Sequence, residues 1–118
     1  MGLTTHVLDT CHGRPAAGLR VTLWRQNDAD GWQALRTVVL NADGRNPDGP
    51  LLSTRELTPG RYRLEFEVAT YFRAQGLALP DPPFLDRVTI DFGVADADAH
   101  YHVPLLVSPW SYATYRGS

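Results

Sequence analysis

Arg61-Tyr62-Arg63-Leu64-Glu65-Phe66-Glu67-Val68 decides the fold. Every second residue is apolar: Tyr62, Leu64, Phe66 and Val68 share one face, and Arg61, Arg63, Glu65 and Glu67 share the other. Successive side chains of a strand point to opposite faces, so this is the pattern of a half-buried strand. The same alternation recurs on both sides of it. Upstream it predicts strands over Leu3–Leu8, Leu19–Gln26 and Trp32–Leu40, with a short edge strand over Leu51–Leu57. Downstream it predicts Phe84–Val94, His100–Val107 and Ser111–Tyr115. Asp9–Gly18, with Gly13, Pro15 and Gly18, is expected to be a loop. The alternation fails at Ala69–Gln75, where a short helix ending before Gly76 is expected, and Leu79–Pro83, with three prolines, must be an irregular crossing. Strands at this spacing predict an all-β protein, a sandwich of two antiparallel sheets with one short helix.

The chain has 118 residues, enough for one domain over 1–118. Eleven basic residues stand against thirteen acidic ones, for a net charge of −2. That balance argues against nucleic acid as a partner. All eleven cations are Arg, which excludes lysine Schiff-base chemistry and a P-loop lysine. The single cysteine, Cys11, excludes an internal disulfide and a multi-cysteine metal site. No apolar run reaches the ~18 residues of a membrane span. The first residues lack the basic and apolar regions of a secretory signal, so a cytoplasmic protein is expected.

His100 and His102 lie at i and i+2, opposite the apolar face formed by Tyr101, Val103, Leu105 and Val107. They share the outward face with Pro104 and Leu106, and His6 is placed likewise on the first strand with Thr4 and Leu8. Surface imidazoles alone would explain this, but leucine on the same face suggests an interface or a site. A zinc site from His6, His100 and His102 is a second reading, although no thiolate or carboxylate clearly completes it. General acid–base work on a small molecule is a third, since the ordinary imidazole pKa of ~6.5 suits it. Asp43-Gly44-Arg45 reads as a turn. Cys11 and His12 are sequence neighbours whose side chains are expected to diverge, and no serine sits in a nucleophile elbow. The end, Tyr115-Arg116-Gly117-Ser118, could fray or fold over a site.

Three blocks carry a family resemblance: Leu3-Thr4-Thr5-His6-Val7-Leu8-Asp9, Asp43-Gly44-Arg45, and His100-Tyr101-His102-Val103-Pro104-Leu105-Leu106 running through Ser108-Pro109 to Tyr115-Arg116-Gly117-Ser118. In these the chain resembles the 5-hydroxyisourate hydrolases, the transthyretin-related enzymes of urate degradation. The hormone-carrying relative lacks the terminal tetrapeptide and the histidines. The resemblance implies a transthyretin (prealbumin)-like sandwich of two four-stranded sheets. It also implies a homotetramer with sites in a channel where dimers meet. It implies His6, Arg45 and His102 as the catalytic set, with substrate contacts from His6, Arg45, Tyr115 and Ser118 and with His100 beside the site. The implied reaction is hydrolysis of the cyclic amide of 5-hydroxyisourate, with no metal and no cofactor. On this reading His102 is the base, His6 its partner and Arg45 an electrostatic anchor. A passive carrier of a small aromatic ligand is the rival from another class.

Overall fold

The computed structural model describes residues 2–117. Its elements are β1 (Leu3–Asp9), β2 (Arg14–Pro15), β3 (Arg20–Gln26), β4 (Trp32–Val39), β5 (Gly60–Phe66), α1 (Val68–Ala74), β6 (Val88–Val94), β7 (Tyr101–Val107) and β8 (Tyr112–Thr114). They form two four-stranded sheets, ordered β2-β1-β7-β8 and β4-β3-β5-β6. The inward faces follow the alternation. Leu3 and Val7 of β1, Val21 and Leu23 of β3, Tyr62, Leu64 and Phe66 of β5, and Leu105 and Val107 of β7 are all buried. Each such side chain contributes about 1.5–3 kcal/mol by leaving water. Truncating one to alanine, as in Leu64→Ala, would cost about 2–5 kcal/mol.

Five strand pairs are antiparallel, as expected, but β1 and β7 run parallel, with Thr4 opposite His102 and His6 opposite Pro104. Alternation reports which face a residue occupies, not which way its neighbour runs. A connection spanning most of the chain leaves either direction open.

Four boundaries differ from expectation. Val68 opens α1 instead of closing β5, because the chain turns at Glu67 and buries Val68, Ala69, Tyr71 and Phe72 on one helix face. The Asp9–Gly18 segment is not all loop: β2 returns along β1, with Leu8 opposite Pro15 and Asp9 opposite Arg14. Pro15 has no N–H to give, and it lies on the outermost strand, where that costs nothing. Leu51–Leu57 is not a strand. Only Leu52 pairs, with Leu3, while Leu51, Leu52 and Leu57 plug the core from a loop. The strand expected from Phe84 begins at Val88, and Phe84 stays 70% exposed, beside Trp110. Among the described residues no helix is long and apolar enough to cross a membrane.

Candidate active site

The outward face of the first sheet gathers the polar residues. His6 on β1 and His102 on β7 are both partly buried. Their faces agree because the two strands run in parallel register, which sets Thr4 beside His102.

Arg45 reaches this face through a built turn. The Asn41 side-chain oxygen accepts the N–H groups of Asp43 (2.9 Å) and Arg45 (3.2 Å), and Gly44 N–H donates to the Asn41 carbonyl at 2.9 Å. Gly44 has φ +70°, and a Cβ there would stand 2.5 Å from the Val7 carbonyl. Only glycine lets this turn lie against β1. The Gly44 carbonyl then accepts Val7 N–H at 3.0 Å, and Arg45 falls opposite His6 as an antiparallel bridge. Asp43-Gly44-Arg45 is therefore a turn that also sets Arg45 against His6.

Burial lowers the pKa of His102, and the positive charge of Arg45 and the neighbouring His100 and His6 lower it further. Burial likewise lowers His6, helped by Arg45, while a hydrogen bond with the Asp43 backbone works the other way. Both imidazoles are thus held toward their neutral form at physiological pH, the form able to accept a proton.

His100 precedes β7 and stacks on His102, ring centroids 6.4 Å apart and 13° between planes. Thr4 Oγ1 lies 2.8 Å from His102 Nδ1 and 3.5 Å from His100 Nε2. The tail returns to the same place. Gly117 N–H donates to the His102 carbonyl at 2.8 Å, and a Cβ on Gly117 would meet His102 Cδ2 at 2.6 Å. Arg116 lies over the Tyr101 ring, 4.3 Å from its centroid. Tyr115 is 60% exposed, and Ser118 lies outside the described residues.

Two further features of this face bear on the readings that the sequence leaves open. Pro104 is already buried within the protomer, flanked by His6 on β1 and by β8, whose Thr114 hydroxyl donates to the Pro104 carbonyl at 2.7 Å. Leu106 remains partly buried. The three histidines do not converge on one point. Among the described residues, the trio whose ligand atoms gather within 4.8 Å is Asp9, Cys11 and His12, so the Cys11 and His12 side chains, expected to diverge, come together around Asp9. There His12 Nδ1 is engaged by Asp9 Oδ2 at 2.6 Å, and His12 N–H donates to Asp9 Oδ1 at 3.0 Å. Sequence reasoning passed over Thr4, Gly2 and Asn41. Thr4 carried a usable signal, since it shares the face of His6 at i, i+2.

The molecule is a two-sheet sandwich that gathers two imidazoles and a guanidinium on an outer sheet face. The chain belongs to the HIUase/Transthyretin family, whose model matches residues 3–117. A relative from Rhizobium meliloti (strain 1021), 5-hydroxyisourate hydrolase 2, is 55% identical over 116 residues, covering 98% of this chain and 95% of its own. Among solved structures, (S)-allantoin synthase superposes with a TM-score of 0.92 at 45% identity, over 99% of this chain. The match spans 43% of that longer chain. Sea bream transthyretin in complex with thyroxine superposes at 0.87 with 28% identity, over 99% of this chain and 95% of its own. The protein is a hydrolase by this kinship, on a transthyretin-like fold.

Proposed function

We propose that this protein hydrolyses 5-hydroxyisourate in purine degradation, opening the N1–C6 amide of its six-membered ring to give 2-oxo-4-hydroxy-4-carboxy-5-ureidoimidazoline. The observation that carries the reading is the pair of imidazoles, His6 and His102, both lowered in pKa beside one guanidinium, Arg45. Neutral His102 takes a proton from water as the oxygen attacks C6. The carbonyl oxygen becomes an oxyanion, and Arg45 stabilises the charge as it develops. Collapse of the tetrahedral intermediate breaks the C6–N1 bond. The proton held by imidazole goes to N1, and the new carboxylic acid at C6 gives its remaining proton to solvent to become a carboxylate. Water is consumed, and the step needs no redox partner. His6 orients the substrate, and Arg45 also suits a flat, anionic, purine-like ring through forked donation.

Tyr115 and Ser118 complete the substrate contacts on this reading, with the tail closing the mouth of the site. The assembly is a homotetramer with sites where dimers meet. Leu106 on the site face and the exposed Trp110, Tyr112 and Tyr115 around edge strand β8 favour burial against other copies. A carrier role is disfavoured by the same polar cluster, since an apolar ligand pocket has no use for two imidazoles beside a guanidinium.

The test uses freshly generated 5-hydroxyisourate in heavy-oxygen water. Enzyme should speed the loss of its ultraviolet absorbance over spontaneous decay and place one heavy oxygen in the new carboxylate. Decay at the spontaneous rate would defeat the reading.

A further inference from the structure

We infer that Thr4 and His100 are positioning residues that fix the tautomer of His102, holding its proton on Nδ1 and leaving Nε2 bare toward the site. The effect on rate rests on the reading of His102 as the base; the tautomer itself does not.

The argument follows one chain of hydrogen bonds. His100 Nδ1 is 3.1 Å from the Gly2 carbonyl oxygen, His100 Nε2 is 3.5 Å from Thr4 Oγ1, and Thr4 Oγ1 is 2.8 Å from His102 Nδ1. The inner links could each run either way, because a hydroxyl or an imidazole nitrogen can donate or accept. The outer link cannot. A carbonyl only accepts, so His100 Nδ1 must carry the hydrogen. A neutral imidazole has a single N–H, so His100 Nε2 is left as an acceptor and takes the Thr4 hydroxyl proton. Thr4 has no second proton to give. It can only accept from His102, whose hydrogen therefore sits on Nδ1. The lone pair of His102 Nε2 is free, as a general base requires.

The anchor of this chain is fixed by the backbone. Gly2 has φ +70°, and a Cβ there would lie 2.0 Å from the Leu52 carbonyl oxygen. Its own carbonyl also accepts Tyr101 N–H at 2.9 Å, which pins the acceptor beside His100. Thr4 is held opposite His102 by the parallel register. The Gly117 backbone lies close to the His102 ring, where an added Cβ would stand 2.6 Å from Cδ2.

The direction of the chain depends on His100 being neutral. A second proton on His100 would make both its nitrogens donors, turn the Thr4 hydroxyl toward His102 Nδ1 and move the His102 hydrogen to Nε2. The charged and titratable groups around the two rings are Arg45 and His6 facing His102, and Arg116, which donates to the His100 carbonyl at 3.4 Å. Asp43 faces His6 from the turn.

The test is the nitrogen-15 spectrum of the full-length protein labelled at histidine, recorded above the imidazole titration, together with steady-state kinetics. In the wild type and in Thr4→Ser, His102 should show Nδ1 protonated and Nε2 bare. In Thr4→Val and in His100→Ala an Nε2–H population should appear at His102. The turnover number of Thr4→Val should fall about 10–100-fold, the range for an outer partner that orients a histidine, with KM unchanged and with recovery in Thr4→Ser. Should Thr4→Val fail to fold, His100→Ala carries the test, since it leaves the Thr4 hydroxyl free to donate to His102. Nε2–H at His102 in the wild type, or an unmoved tautomer in both variants, overturns the inference. A shifted tautomer with unchanged turnover upholds it and instead removes His102 from the role of base.

Discussion

His6 and Arg45 stand opposite one another as an antiparallel bridge between β1 and the Asn41–Arg45 turn. Burial lowers the pKa of both imidazoles, and the Arg45 cation set beside them by this pairing lowers it further. On the proposed mechanism this one contact would supply a charge for the developing oxyanion and keep the neighbouring imidazoles able to accept a proton.

Arg45→Gln separates these effects. It should lower kcat/KM about 10²–10³-fold, the usual loss of a transition-state charge donor. Removing the cation lets both imidazoles bind protons more readily, so their neutral forms are lost at higher pH. The acid limb of the pH–rate profile should accordingly move upward. A downward shift would mean that the guanidinium does not act on these rings.

Gly117→Ala should lower turnover while leaving thermal unfolding nearly unchanged. The new methyl would stand 2.6 Å from His102 Cδ2 and 3.2 Å from its Cβ, so either the ring or the tail must move. The tail is exposed from Ser111 to Arg116 and carries little of the core. Full activity in this variant would show that the tail does not hold the His102 ring.

Much of the fold and of the site face is legible in the sequence. The sequence places His6 and His102 on a common outward face because strand alternation is strict and their opposite faces, Val7 and Val103, are plainly apolar. The segment over Leu51–Leu57 misled because three leucines that plug the core from a loop carry the same residue types as a short strand. β2 was hidden by Gly13 and Pro15, since two residues give no period to read. The link from Gly2 through His100 and Thr4 to His102 was out of reach for another reason. It depends on the parallel register of β1 and β7, a relation between distant segments that no local pattern encodes.

Tyr71→Phe should destabilise the fold without touching catalysis. Asp9 is fully buried and accepts hydrogen bonds from the Tyr71 hydroxyl (2.7 Å), His12 Nδ1 (2.6 Å) and His12 N–H (3.0 Å). Losing the first should cost about 1–3 kcal/mol in urea unfolding. Burial raises the Asp9 pKa, but the bonds from His12 and Tyr71 outweigh it and hold the carboxyl below its ordinary value. A depressed folded pKa stabilises above the unfolded value of ~3.9 and is lost as pH falls through the folded one. The Tyr71 hydroxyl, pushed up to about 12 by burial and Asp9, stays a donor throughout this range. Acid unfolding of Tyr71→Phe should therefore begin at higher pH than in the wild type. Coincident acid transitions would remove Asp9 from that role.

Sedimentation and activity should fall together on dilution. If the sites lie where dimers meet, dissociated protomers lose them, and Tyr112→Arg on the exposed β8 edge should promote that dissociation. A monomer with full turnover would contradict the tetrameric site.

The most direct test compares wild type and His102→Ala at equal concentration on freshly generated 5-hydroxyisourate. The decay of ultraviolet absorbance is followed against the spontaneous rate. The wild type should clear the substrate rapidly, and His102→Ala should be slower by about 10²–10⁴-fold, the loss expected for a general base. Equal clearance by the two proteins would contradict the assignment of His102, and no acceleration by either would contradict the hydrolase itself.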